Sequence, residues 1–138
     1  MVADTSVVLS LLLPDARSLL VENVLRRDDQ PVIVGIVALE LNGVLARRVR
    51  ERLLHADAAA RIRRAFADSV AEGFWQVVPV SPAHVARATE WLADPSLALH
   101  PVDALHVSVA HALGESLFTA DHAQARAAKR LGVRVRLA

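Results

Sequence analysis

The amino-acid sequence predicts an α/β fold built on a central, mainly parallel sheet. Three observations carry this. Short apolar runs at residues 2–3, 32–34, 75–80 and 116–119 have the length of strands, and longer stretches of helical periodicity separate them. Val32-Ile33-Val34 is apolar at every position, which suits a strand covered on both faces. The last candidate, Val133-Arg134-Val135-Arg136-Leu137, alternates as an edge strand does. Strands separated by helices imply a parallel sheet with helices on both sides. The 138 residues fit one domain, 1–138, large enough to bury a core, and no repeat, low-complexity segment or linker interrupts it.

In chain order, Val2-Ala3-Asp4 reads as a short strand ending at Thr5-Ser6, followed by an apolar turn or helix that stops near Pro14. Asp15 is placed to cap a helix to about Arg27, with Leu19, Leu20, Val24 and Leu25 facing inward. Helices are expected over 37–53 and 56–72. The second carries Ile62, Ala65, Phe66, Ser69 and Val70 at helical spacing and ends at Gly73. Ser81-Pro82 opens a helix to about Ala93 by capping and a first-turn proline. Residues 94–100 form a loop. A helix around Asp103 runs to Leu113 and is stopped by Gly114. The final helix starts at Asp121 and ends at Leu131-Gly132.

Hydrophobic residues make up 54% of the chain and charged residues 22%, a balance that favours an ordered globular protein. Cysteine is absent, which excludes disulfides, thiolate zinc sites and a cysteine nucleophile and fits a cytoplasmic location. The run Val7-Val8-Leu9-Ser10-Leu11-Leu12-Leu13 resembles a signal-peptide core. It follows Asp4 without a basic leader and is too short to span a bilayer, so no membrane role is expected. Net charge is only +1, but it is unevenly spread. Residues 47–64 hold seven arginines against Glu51 and Asp57, and residues 126–138 hold four arginines and Lys129 with no acid. Such patches suit nucleic acid or an acidic protein partner, and equally a solvated helix face.

Pro101-Val102-Asp103-Ala104-Leu105-His106-Val107-Ser108-Val109-Ala110 reads as a helix with almost no polar face. A carboxylate in its first turn is costly unless it is paired, hydrogen-bonded or metal-bound. Asp4, Glu40 and Asp121 stand in similar surroundings. In open parallel sheets ligands bind beyond the carboxyl ends of the strands. Asp4 and Asp121 lie at such ends, and Glu40 and Asp103 lie in opening helix turns that return to that edge. Each acid also has an ordinary explanation. Asp4 and Asp121 can cap the turns that follow them, and Asp103 can complement a helix dipole. Glu40, within Gly35-Ile36-Val37-Ala38-Leu39-Glu40-Leu41, is harder to explain that way. Together the four suit magnesium or manganese, which prefer oxygen ligands and serve phosphodiester hydrolysis. Thr5, Ser6 and Thr119 can support the carboxylates or bind phosphate, or serve only as turn and cap residues.

The set Asp4-Thr5-Ser6, Glu40 in Ala-Leu-Glu-Leu-Asn, Asp103 in Asp-Ala-Leu-His-Val-Ser-Val-Ala, and Thr119-Ala120-Asp121 resembles the PIN-domain family. At this length it is similar to the VapC-type ribonuclease toxins of bacterial toxin–antitoxin pairs. The resemblance spans essentially the whole chain, with the acids in the family's order. It implies a PIN-like α/β/α sandwich and magnesium- or manganese-dependent endoribonuclease activity on tRNA, rRNA or mRNA. It also implies a homodimer and inhibition by a VapB-type antitoxin. Asp4, Glu40, Asp103 and Asp121 map one by one onto the family's acidic residues. Many relatives place an aromatic residue, and at times another acid, just after the last of these. This chain has His122-Ala123-Gln124, so that local packing and any fifth acid do not carry over.

His106, one turn from Asp103, is expected to pack or hydrogen-bond near the site, and His122 to lie exposed in a first turn. Trp75 and Trp91 read as packing residues. Asn42 receives no catalytic role. The helix pair around residues 47–64 reads as a clip for RNA or a second subunit. Two other functions compete: a non-catalytic PIN-like module binding RNA or protein, and a doubly wound phospho-acceptor or phosphatase domain using Asp4 or Asp103. The second usually needs a positioned lysine, and the chain's only lysine is Lys129.

Overall fold

The computed structural model describes residues Met1–Ala138. Five strands, β1 (Val2–Ala3), β2 (Val32–Val34), β3 (Gln76–Val78), β4 (Leu117–Thr119) and β5 (Val135–Leu137), form one sheet in the order β3-β2-β1-β4-β5. Every pairing is parallel, with Val2 beside Val32 and Leu117, and Ala3 beside Ile33 and Phe118. Seven helices join them: α1 (Thr5–Leu12), α2 (Ser18–Leu25), α3 (Val37–Arg50), α4 (Ala56–Ala71), α5 (Pro82–Leu92), α6 (Pro101–Leu113) and α7 (His122–Arg130).

Strand side chains alternate between faces, and this divides the core in two. Ala3, Ile33 and Phe118 pack with Val7 and Val8 of α1, Val21, Val24 and Leu25 of α2, and the apolar stripe Val37-Leu41-Leu45 of α3. Val2, Val32, Val34 and Leu117 pack with Val107, Val109 and Ala110 of α6 and Ala128 of α7. The result is a three-layer α/β/α sandwich. The chain steps from β1 to β2 to β3, then crosses back to place β4 on the other side of β1. The reversal leaves a crevice at the carboxyl ends of β1 and β4, the position where open α/β sheets place ligands.

The expected elements are present with shifted ends. Helix α2 corrects the expected inward face: Leu19 is 76% exposed and Leu20 46%, while Val21, Val24 and Leu25 are buried. Only the last three share an i, i+3, i+4 stripe, and Leu19 and Leu20 fall off it. Asp15 does not cap α2. Arg17 occupies the N-cap position, and Asp15 accepts hydrogen bonds from the Arg17 backbone and guanidinium and from Ser10 Oγ. On α4 the buried residues are Ala59 and Phe66, and Ala65 is exposed. Residues 94–100 contain a 3-10 turn, Pro95–Leu97, capped by Asp94. Gly114 ends α6 with φ of 65°, a conformation that favours glycine. No helix is long and apolar enough to cross a membrane.

Candidate functional site

Asp4 continues the sheet after β1, its backbone N–H donating to Phe118 O at 3.0 Å, and then caps α1. Its Oδ1 accepts from Ser6 Oγ at 2.6 Å and Val7 N at 3.1 Å, and its Oδ2 accepts from Thr119 Oγ1 at 2.6 Å. Thr119 Oγ1 accepts in turn from Asp121 N, and Ser6 Oγ from Ala120 N, each at 2.9 Å. The ends of β1 and β4 are thereby stitched together by hydrogen bonds that span 114 and 115 residues of sequence. The capping role expected of Asp4 is real, and the same carboxylate stands in the crevice.

Glu40 lies in the first turn of α3, half-buried. Its Oε2 accepts from Thr5 Oγ1 at 2.5 Å and meets His106 Nε2 at 2.8 Å. The charge that looked uncompensated in the sequence is therefore paired from α1 and α6. Asp121 caps α7, its Oδ1 accepting from Ala123 N at 2.6 Å and Gln124 N at 3.0 Å. Asp103, in the first turn of α6, receives no hydrogen bond on its carboxylate. Glu40 Oε1 and Asp121 Oδ2 are also free of protein donors.

All four carboxylates line one cleft of about 180 Å³, together with Thr5, Ser6, Leu9, Val44 and His106. Thr119 lies beneath it, fully buried. Burial pushes the Asp4 carboxyl above its ordinary value, against the hydrogen bonds from Ser6 and Thr119. Burial also raises Asp103, and the neighbouring charge of Asp121, then those of Asp4 and Glu40, raise it further against an opposing influence of His106. The cleft is thus short of positive charge. Its donors are carboxylate and hydroxyl oxygens with one imidazole and no sulfur, a set that fits a hard divalent cation better than a soft one. As placed, the side chains form no ready-made group of three metal ligands. Hydrogen bonds to protein occupy both Asp4 oxygens and Glu40 Oε2, leaving Asp103 and the free oxygens of Glu40 and Asp121 as the open positions.

His106 is where expected, 1% exposed and bonded to Glu40. His122 is exposed at the start of α7. Trp75 is buried, with its ring edge-on to Phe74, and Trp91 packs edge-on to His111. Asn42 braces the helix pair by accepting from Arg63 Nε at 2.7 Å. Lys129 is exposed on α7 and does not line the cleft, so the lysine needed by a phospho-acceptor site is missing there. Gln124 is a residue of the site that no motif in the sequence singles out. It is 1% exposed, its Nε2 donates to the Asp103 backbone oxygen at 3.5 Å, and its Oε1 has no partner. The available signal was an amide among the small residues Ala125, Ala127 and Ala128 on the buried face of α7.

No curated protein matches the chain closely enough to count as a relative. Among solved structures it is similar to VapC20 of Mycobacterium tuberculosis, a sarcin-ricin loop cleaving toxin. That match has 21% identity over 91% of this chain and 93% of that one, with a TM-score of 0.71. VapBC2 from Rickettsia felis, bound to a DNA fragment from their promoter, matches at 15% identity over 99% and 96%, TM-score 0.68. FitAcB from Neisseria gonorrhoeae matches at 16% over 97% and 94%, TM-score 0.65. These likenesses are of fold. The family model described as PIN domain matches residues 1–130, nearly the entire chain, and the chain therefore belongs to the PIN domain family.

Proposed function

We propose that this chain, acting as one domain over residues 1–138, is a cytoplasmic endoribonuclease toxin dependent on magnesium or manganese. The observation that supports this best is the convergence of Asp4, Glu40, Asp103 and Asp121 on one cleft at the sheet's topological switch point. The direction in which Asp4 and Asp103 are shifted agrees with it, because carboxyls disfavoured as anions are what a cation relieves. When bound, the cation supplies charge to activate water and to stabilise the leaving oxygen of a phosphodiester.

The protein's own residues prepare that chemistry. Thr119 and Ser6 fix Asp4 so that its charge stays at the crevice. Oδ1 accepts two hydrogen bonds, from Ser6 and Val7, but Oδ2 accepts only one, from Thr119, so a lone pair of Oδ2 remains for a ligand role. Thr5 and His106 hold Glu40 Oε2 and leave Oε1 for the ligand role. Asp121, exposed and with its second oxygen free, and Asp103, half-buried, line the same cleft and are the proposed point of entry for a substrate phosphate.

A cognate VapB-type antitoxin is the proposed inhibitor, and a homodimer the proposed assembly. The names VapC20, VapBC2 and FitAcB support this reading by fold likeness. A negative cleft accepts an inserted arginine, which pairs bidentately with carboxylate and blocks phosphate. The test is purified protein against a panel of tRNA and rRNA, with manganese or with chelator, beside Asp4→Asn. Cleavage by the unaltered protein only, and only with metal, is expected. Equal cleavage by both would assign the activity to a contaminating nuclease.

A further inference from the structure

We propose that the face of α3 continuing from Glu40 is a track for the single-stranded RNA flanking the cleaved bond. Gly43 is its bare floor, and Arg47 and Arg50 are its phosphate contacts. This rests on the nuclease reading above. Glu40 and Val44 line the carboxylate cleft and also a second hollow of about 300 Å³, which Gly43, Arg47 and Arg50 complete. The two spaces therefore share a wall. Residues 40, 43, 44, 47 and 50 recur at helical spacing and form a stripe distinct from the buried stripe Val37-Leu41-Leu45.

Gly43 needs an explanation. Glycine inside a helix costs about 1 kcal/mol relative to alanine. Its φ is not positive, and a Cβ built there would meet nothing within 4 Å. Neither backbone conformation nor internal packing requires it. What glycine provides at this point is a stretch of exposed helix with no side chain, open to close approach by a ligand.

Arg47 and Arg50 are exposed, and neither pairs with a carboxylate in this structure. Seven residues of helix set Arg47 about 10 Å along the axis from Glu40. That is within the range over which charges act at ordinary salt, about 8–10 Å. The pattern favours RNA over an acidic protein segment. Arginines attract either and the carboxylates repel either, but once a cation fills the cleft, as the nuclease reading requires, a phosphodiester chain has a role at both ends, in the cleft and along the arginines. Asp4 is 4% exposed within the cleft, and a single strand reaches carboxylates so recessed more readily than a duplex does. Asn42 and Arg63 tie α4 to α3 beside the stripe.

The test measures binding of a labelled single-stranded oligoribonucleotide by fluorescence anisotropy across a salt series. An Asp103→Asn background prevents cleavage. Arg47→Gln with Arg50→Gln is expected to weaken binding and to reduce the slope of log affinity on log salt by about 1.4, roughly 0.7 for each lost phosphate contact. Gly43→Leu is expected to weaken binding without lowering Tm. In the Asp103 protein, both changes should leave manganese-dependent hydrolysis of bis(p-nitrophenyl) phosphate unaltered, since that diester is too small to reach the track. Unchanged RNA affinity and slope in both variants would overturn the proposal. So would an effect confined to oligomeric state by sedimentation, which would make the face an interface between copies. If the unaltered protein hydrolyses neither RNA nor the small diester, the nuclease reading fails, and the anisotropy comparison still decides the track.

Discussion

His106 Nε2 stands 2.8 Å from Glu40 Oε2 and joins α6 to α3 across 66 residues of sequence. The imidazole is buried, and its Nδ1 has no partner. The ring meets Glu40 through Nε2 and leaves its second nitrogen unmatched. The contact holds one Glu40 oxygen and leaves the other open, which gives His106 a positioning role toward whatever the carboxylate binds.

His106→Ala should destabilise the protein by about 2–4 kcal/mol, through a cavity and the loss of one of the two partners of Glu40 Oε2. It should also weaken manganese binding by about 10–100-fold, the usual effect of losing a residue that orients a ligand. His106→Gln can place a donor near the same point and should recover most of that affinity. A calorimetric titration of the three proteins checks both effects. Equal metal affinity in all three would reduce His106 to a packing residue.

Thr119→Val keeps the shape of the β4 end but removes the donor to Asp4 Oδ2 and the acceptor for Asp121 N. Leaving buried polar atoms unpaired costs about 1–3 kcal/mol. Thr119→Ser should restore most of the loss. Urea denaturation of the pair measures it, and a Thr119→Val midpoint equal to the parent's would show that the β1–β4 stitch contributes nothing.

Asp103→Asn is expected to raise the Tm of the metal-free protein while abolishing RNA cleavage. Its carboxyl is raised by burial first and by Asp121, Asp4 and Glu40 next, so removing the charge relieves repulsion. It accepts no hydrogen bond that the amide would forfeit. A lower metal-free Tm in the variant would contradict this electrostatic picture of the cleft.

Asp15 behaves in the opposite direction. Its hydrogen bond with the Arg17 guanidinium holds the carboxyl at about 2, below its ordinary 3.8. A depressed carboxyl stabilises the fold above its unfolded value, and that contribution is lost as pH falls through the folded value. Between about pH 4 and pH 2 the unaltered protein should lose more Tm than Asp15→Asn. Parallel pH–Tm curves would show that the Asp15–Arg17 pair does not report on folding.

The sheet was legible where local chemistry decides it. Val32-Ile33-Val34 is apolar on both faces because both faces are covered, and Gly114 marks a left-handed helix end. The four acids were legible because strand ends and helix starts in a parallel sheet share one edge. The partners of those acids were not. Thr5 and His106 meet on Glu40 only because the strand order brings α1, α3 and α6 together, and no short-range pattern encodes that order. The face of α2 is not legible in the same way: Leu19 and Leu20 are apolar yet exposed, and apolar character alone does not fix rotation about a short helix. Asp121 showed that cap and cleft roles are compatible, since one oxygen serves each.

The most direct measurement is manganese binding, followed by calorimetry or electron paramagnetic resonance, on the unaltered protein, Glu40→Gln and Asp103→Asn. If the carboxylates act as one site, the unaltered protein binds the ion and each substitution weakens binding by about tenfold or more, since a magnesium-type site rests on only one or two carboxylates. Identical binding by all three proteins, or none by the unaltered one even with RNA present, would contradict the account.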